Sequence, residues 1–246
     1  MPLLSIITIT YNAEEFLERT ILSILKQSNQ AFEYLIIDGK STDSTLSIVE
    51  NYRSRVDALV SEPDKGLYDA MNKGLKQATG KYIWYLNAGD EIADANTIDR
   101  LFTILKNNPD IVYSDTYMVD EKGKVLGLRS EILPHKVPEK LTWQKFNLGM
   151  LICHQSFIVK RALAPNYIEN NLSADIDWEI KCLKLAKRVE QFSGVLSRYL
   201  VGGLSSQKHL QSLKDRYRVL KYHFGFIPNA ISHVRIVLRG LLRKLN

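Results

Sequence analysis

A chain of 246 residues, 45% of them hydrophobic and 24% charged, carries enough apolar material for a full core and too little charge for global disorder. Its formal net charge of +6 points to an anionic partner. The basic excess is conspicuous after Lys208, and no basic and aromatic residues interleave outside that tail, which argues against a nucleic-acid module.

In chain order, "LLSIITI" near the N-terminus is an apolar run of strand length. It has no basic n-region, so it reads as a strand rather than a signal peptide. No apolar run approaches the length of a membrane span, and a cytoplasmic location is the expectation. "AEEFLERTILSILKQ" follows with Phe16, Leu17, Ile21, Ile24 and Leu25 at helical spacing. "FEYLIID" is a second strand, and "STDSTLSIVENYR" a helix whose start is rich in Ser, Thr and Asp. "VDALVSE", "GLYDAMNKGLKQA" and "KYIWYLN" read as strand, helix and strand. A helix over about Ala95 to Lys106 and the strand "DIVYSD" come next. This alternation predicts an α/β fold with a mostly parallel, doubly wound sheet.

Beyond Thr116 the pattern loosens. "YMVDEKGKVLGL" predicts a hairpin turning near Lys122 and Gly123, and Pro134 to Pro138 a loop. "SADIDWEIKCLKLAK" is helical by period, and "VEQFSGVLSRYLVGGLS" predicts two short strands joined at Ser193 and Gly194. Cys153 and Cys182 lack metal-ligand spacing and read as reduced core residues.

Two phosphate-binding patterns are excluded. "DGKST" ends like a P-loop, but Tyr34 stands where that loop needs its first glycine. The first strand-to-helix turn, "TITYNAEEF", lacks the glycines of a dinucleotide fingerprint, so a dehydrogenase is not supported.

Asp38 ends the second predicted strand and Asp90 follows the fourth. In a parallel sheet both stand on the carboxyl-end rim, where open α/β sheets bind ligands. One carboxylate there can accept from a base or ribose, while another holds Mg2+ or Mn2+ bridging two phosphates. The competing explanation is that both acids are turn or cap residues.

"SIITITYNAEEFLERTILSILKQ", "IIDGKSTDST", "SEPDKGLYDAMNKGLKQATGKYIWYLNAGDE" and "CHQSFIVKR" together resemble successive motifs of the family 2 glycosyltransferases. These are GT-A fold enzymes that build surface polysaccharides, and the likeness is to the colanic-acid-type bacterial branch. The resemblance implies an inverting, metal-assisted transfer of sugar from a nucleotide-diphospho-sugar. It implies that Thr10 and Tyr11 lie beside the nucleotide base, that Asp38 accepts from it, and that Asp43 fixes the following turn. Lys65, Tyr68, Asp69 and Asn72 would flank the donor, with Lys65 or Lys73 offsetting diphosphate charge. In the family's Asp-X-Asp region this chain has Asn87-Ala88-Gly89-Asp90, which leaves Asp90 as the main metal ligand. Asp175 takes the place of the catalytic base, with Ala174 where relatives carry an acid, and Asp177 is the neighbouring acid. His154 and Gln155 would line the acceptor or sugar pocket, and Trp178 could stack on an acceptor sugar. The reduced acidic motif keeps a non-catalytic nucleotide-sugar-binding protein as the alternative.

On this reading residues 1–205 form the transferase domain, with 1–115 the nucleotide-binding half and 116–205 the acceptor half. Residues 206–246 form a basic helical extension. In it Ile231, Val234, Leu238, Leu241 and Leu245 share one helical face, while Arg235, Arg239 and Arg243 share another. Segment 228–246 could therefore lie on an anionic membrane, as suits an acceptor saccharide linked to polyprenyl diphosphate, or pack on the protein.

Overall fold

A computed structural model describes residues 1–203 and 208–244. The first half builds as the periodicity demands. Strand β1 (Leu4–Thr10) leads to helix α1 (Leu17–Leu25), β2 (Glu33–Asp38) to α2 (Thr45–Asn51), and β3 (Ala58–Ser61) to α3 (Leu67–Gln77). Strand β4 (Tyr82–Tyr85) is followed by a short β5 (Glu91–Ile92) and α4 (Thr97–Leu105). The second half holds β6 (Ile111–Val119), β7 (Val125–Leu128), α5 (Arg129–Ile132), β8 (Phe157–Lys160), α6 (Ala174–Leu185) and β9 (Val189–Leu200). Helices α7 (His209–Phe224) and α8 (Phe226–Lys244) complete it.

The sheet runs β3-β2-β1-β4-β8-β6-β9-β5, with β7 paired to β6. Strands β3, β2, β1 and β4 are mutually parallel, as are β6 and β9, while β8 lies antiparallel between β4 and β6. Alternation along each central strand feeds two apolar layers. Ile7, Ile9, Leu35 and Ile37 face the layer holding Met71, Trp178 and Ile180, whereas Leu4, Ile6, Tyr34 and Ile36 face the layer of Leu17, Ile21, Ile98 and Leu101. Parallel pairing sets Thr10 against Asp38 and Asp38 against Ser61, so three strand ends meet at one rim.

The predicted hairpin is present as β6 and β7, with Asp120 closing its turn by accepting from the backbone of Lys122 and Lys124. The two short strands expected at 189–205 are instead the single strand β9. Its register against β6 slips between Tyr113 and Asp115, where Gly194 at φ +112° lets the chain bulge and continue rather than turn. Residues 204 and 205, the expected end of that pair, and the 205/206 division lie outside the described residues. Helix α7 is no loose appendage: Val219 and Leu220 are buried in the core layer that contains Trp178, and buried Asp215 accepts from the Leu172 backbone N–H.

Candidate active site

The rim is built from loops that tie each other down. Asp38 is buried and accepts from the Ser41 backbone N–H at 3.0 Å and from the Ser61 hydroxyl at 2.6 Å. The Thr10 hydroxyl beside it is buried without a partner, and Tyr11 stands out into solvent. Asp43 bridges the two loops above, accepting from the backbone of Glu14 and Thr45. A Cβ at Gly39 would come within 2.4 Å of an Asp64 carboxylate oxygen and 3.1 Å of the Tyr11 ring, so glycine there leaves room for both side chains.

The segment after β3 divides its residues between tasks. The Lys65 side chain is 75% exposed and lies 3.8 Å from Glu169. Lys73 is held by Glu62 at 3.0 Å and Asp69 at 3.6 Å, and Asp69 also accepts from the Lys65 backbone. Asn72 corrects the sequence expectation. Its amide nitrogen donates to the Tyr167 carbonyl at 3.0 Å and its oxygen accepts from the Tyr167 N–H at 2.7 Å, so both ends clasp a loop rather than face a donor. Tyr68 stacks on the Tyr167 ring, and burial first, then the nearby Asp175 carboxylate, raises its phenol well above the usual range.

Asp90 closes the turn that follows β4, where Gly89 takes φ +103° and its N–H meets the Thr20 hydroxyl. Its carboxylate is buried, accepting from the Leu200 N–H at 3.0 Å and the Gln155 amide at 2.8 Å. Burial pushes the carboxyl up to about 7 against the pull of those donors. The Asn87 amide oxygen is buried with no partner. Among the described residues, no three of His, Cys, Asp or Glu are grouped to hold a metal alone. One buried carboxylate and one orphaned amide oxygen fit Mg2+ or Mn2+, hard ions that complete their shells with waters and substrate phosphates.

Asp175 sits in the first turn of α6, half-buried, and one of its oxygens accepts from the Ile176 N–H at 2.8 Å. Burial raises the carboxyl to about 6. Asp177 points elsewhere: it is buried between His223 at 2.8 Å and Lys181 at 2.7 Å, fastening α6 to α7 instead of lining a pocket. Trp178 is likewise corrected. It is fully buried, stacked on Tyr167 with centroids 4.9 Å apart, and its indole N–H donates to the Pro165 carbonyl, leaving no ring face for a sugar. His154 and Gln155 form a buried turn ahead of β8. Burial pulls the His154 imidazole down to about 3, so it is neutral, and Gln155 orients Asp90 while its carbonyl accepts from Trp84.

Two cations were missed in the sequence. Arg129 is buried and donates to the Leu151 and Met150 carbonyls at 2.6 and 2.8 Å, and its charge favours ionised Asp175. Arg19 braces the Asp90 turn through the Gly89 carbonyl at 3.0 Å. Neither carries a motif, because each is defined by contacts remote in sequence.

Comparison with known proteins identifies the family and the fold. Residues 5–165 match the model of glycosyl transferase family 2. A PGL/p-HBAD biosynthesis glycosyltransferase of Mycobacterium bovis is 30% identical over 221 residues, spanning 83% of this chain and 80% of that one. The Escherichia coli UDP-Glc:alpha-D-GlcNAc-diphosphoundecaprenol beta-1,3-glucosyltransferase WfgD is 34% identical over 145 residues, 58% of this chain and 54% of its own. The solved mannosyltransferase PcManGT from Pyrobaculum calidifontis, in complex with GDP-Man and Mn2+, superposes with a TM-score of 0.66 at 17% identity, covering 96% of this chain and 70% of that one. The architecture is thus the GT-A fold, and the chain belongs to glycosyl transferase family 2, as a glycosyltransferase enzyme.

Proposed function

We propose that this enzyme transfers a sugar from a nucleotide-diphospho-sugar to a saccharide carried on a polyprenyl diphosphate, with inversion at the anomeric carbon. The observation that carries the reading is Asp175. It is a half-buried carboxylate with one oxygen held by the Ile176 backbone N–H, and burial has brought its pKa to about 6. A base poised near the working pH is what proton removal from an acceptor hydroxyl requires.

In this account Thr10, with its unpaired hydroxyl, and Asp38, fixed by Ser41 and Ser61, meet the nucleotide base, with Tyr11 over it. Lys65, Tyr68 and Asp69 flank the donor. The other oxygen of Asp175 takes the acceptor proton as the acceptor oxygen attacks the anomeric carbon, and the bond to the diphosphate breaks on the opposite face. Asp90 and the Asn87 amide oxygen would hold Mg2+ or Mn2+, which would supply positive charge to the departing diphosphate. Neutral His154 lines the site from behind, and Gln155 keeps Asp90 aimed. Replacing Asp175 by Asn removes the proton acceptor with little change in shape. Transfer should fall by about 10²–10⁴-fold while nucleotide binding persists, and undiminished transfer would remove the assignment.

The lipid-linked acceptor, like that named for the Escherichia coli relative, is also supported by α7 and α8. No helix of the described residues is long and apolar enough to cross a membrane. Helix α8 nevertheless packs with polar Asn229 and Ser232 inward, whereas Ile227, Ile231 and Val234 face solvent beside Phe226 and Tyr222. From Lys208 onward the chain has nine Lys and Arg and a single acid, Asp215, which is buried. An outward apolar stripe among cations suits the interface of an anionic leaflet. The side chains of Leu238, Arg239, Leu241, Arg243 and Leu245, which would extend the stripe, lie outside the described residues.

A further inference from the structure

Arg216 on α7 has no part in the chemistry above. It is half-buried, and its Nε is buried without a hydrogen-bond partner. The adjacent carboxylate, Asp215, is turned elsewhere, accepting from the Leu172 N–H at 3.1 Å, the Gln211 amide at 2.9 Å and Arg218 at 3.2 Å. No other acid among the described residues pairs with Arg216, and burial holds its guanidinium below the ordinary value. A desolvated cation without a partner costs stability, which a bound anion would offset.

Contacts on two sides give its place. A Cβ at Gly149 would stand 3.5 Å from Cδ of Arg216 and 3.7 Å from its Nη1, so the side chain lies along that loop. The next two carbonyls of the same loop, those of Met150 and Leu151, accept from buried Arg129, whose charge acts on Asp175. Two guanidinium groups thus border one loop, and neither is held by a carboxylate. On the other side, α7 is tied to the start of α6. The Ser173 hydroxyl, two residues before Asp175, donates to the Ser212 carbonyl at 3.3 Å. Ser212 lies one turn before Arg216 on the same helical face.

Along α7 the exposed Tyr222, where the apolar corner begins, comes six residues after Arg216, a rise of about 9 Å. A carboxylate, a pair of guanidinium groups and an apolar corner therefore follow one another across α6 and α7. A saccharide carried on a lipid diphosphate has three parts in the same order: the attacking hydroxyl, the diphosphate and the lipid. Guanidinium is suited to the middle part, since its planar fork matches phosphate oxygens and its charge strengthens each hydrogen bond. In the proposed function the donor's own diphosphate lies elsewhere, at the rim with Asp90 and Asn87.

We propose that Arg216, backed by the charge of Arg129, binds the diphosphate that joins the acceptor saccharide to its lipid. The inference rests on the lipid-linked acceptor of the proposed function. Donor and acceptor both carry a diphosphate, so kinetics with each substrate varied in turn separates the two sources. The comparison sets a saccharide-diphospho-polyprenol against a neutral alkyl glycoside of the same saccharide. Arg216→Met keeps the stem along Gly149 and removes the charge. It should shrink the preference in kcat/KM for the diphosphate acceptor by about tenfold, and Arg216→Lys should restore part of it. An equal loss on both acceptors, which a merely structural role would give, overturns the proposal, as does a loss that appears in the KM of the donor. Calorimetry of the full-length protein with inorganic pyrophosphate in EDTA tests the anion site apart from any transfer. Binding should weaken by about tenfold in Arg216→Met, and unchanged binding overturns the site. A wild-type enzyme that binds pyrophosphate through Arg216 yet shows no preference for the diphosphate acceptor would discredit the lipid-linked acceptor and leave only the anion site.

Discussion

At the scale of single residues, the acids that motif position picked out have three different fates. Asp38 and Asp90 are held at the rim by hydrogen bonds from Ser41, Ser61, Gln155 and Leu200, while Asp177 is consumed by His223 and Lys181. Asp175, with one oxygen on the Ile176 N–H, sits in a desolvated position, which carries a stability cost with a definite pH signature. Its carboxyl ordinarily titrates at 3.8 and does so at about 6 in the fold, so the folded state holds a proton that the unfolded chain has released. The stabilising contribution of that proton is complete below the ordinary value and is lost as pH rises through the folded one. Asp175→Asn, neutral throughout, should therefore gain Tm relative to wild type between pH 4 and pH 7 and hold a constant gain above that. A Tm difference that does not vary with pH would show that Asp175 is not desolvated. The positions of Asp38 and Asp90 were legible because strand period and parallel order put them at strand ends. The burial of Trp178 was not: near the start of a helix, one tryptophan looks the same whether it meets a ligand or Tyr167.

At the scale of elements, local pattern located strands and helices well where the period was clean. α1, β2 and α3 fall within the segments read for them and β1 runs one residue past its own, to Thr10, although α1 begins only at Leu17 because Ala13 to Phe16 form a turn. Ser193-Gly194 has the composition of a hairpin turn, yet β9 passes straight through it because pairing with β6 on both sides of the bulge outweighs local preference. Helix α7 lies within the helical extension read for 206–246, but its packing into the main core escaped notice, since its apolar residues serve that core rather than a stripe of its own. The Asp177–His223 contact and the bond from Leu172 to Asp215 make α6 and α7 a unit. The helix that presents Asp175 is thereby joined to the one leading into the exposed apolar corner at Tyr222, Phe226 and Ile227.

For the molecule as a whole, the proposed function has the rim bind the donor from the aqueous side and the α7–α8 corner meet a lipid surface that carries the acceptor. Phosphatidylglycerol vesicles should carry the wild-type protein in a flotation assay, and phosphatidylcholine vesicles should not. The double substitution Phe226→Ser with Ile227→Ser should abolish flotation, and persistent binding would count against the corner as the contact. What remained illegible is the mixed character of the sheet, since β8 enters between β4 and β6 from far along the chain. The reduced acidic motif, with Asn87 and Gly89 before Asp90, leaves few protein ligands for a metal, so metal should bind well only with the donor's phosphates. The most direct test of the central claim follows labelled sugar from nucleotide-sugar donors to a saccharide-diphospho-polyprenol in anionic vesicles with Mn2+. The account predicts a product of inverted anomeric configuration that stops forming when EDTA removes the metal; a donor that binds firmly but is neither transferred nor hydrolysed would contradict it and leave a nucleotide-sugar-binding protein.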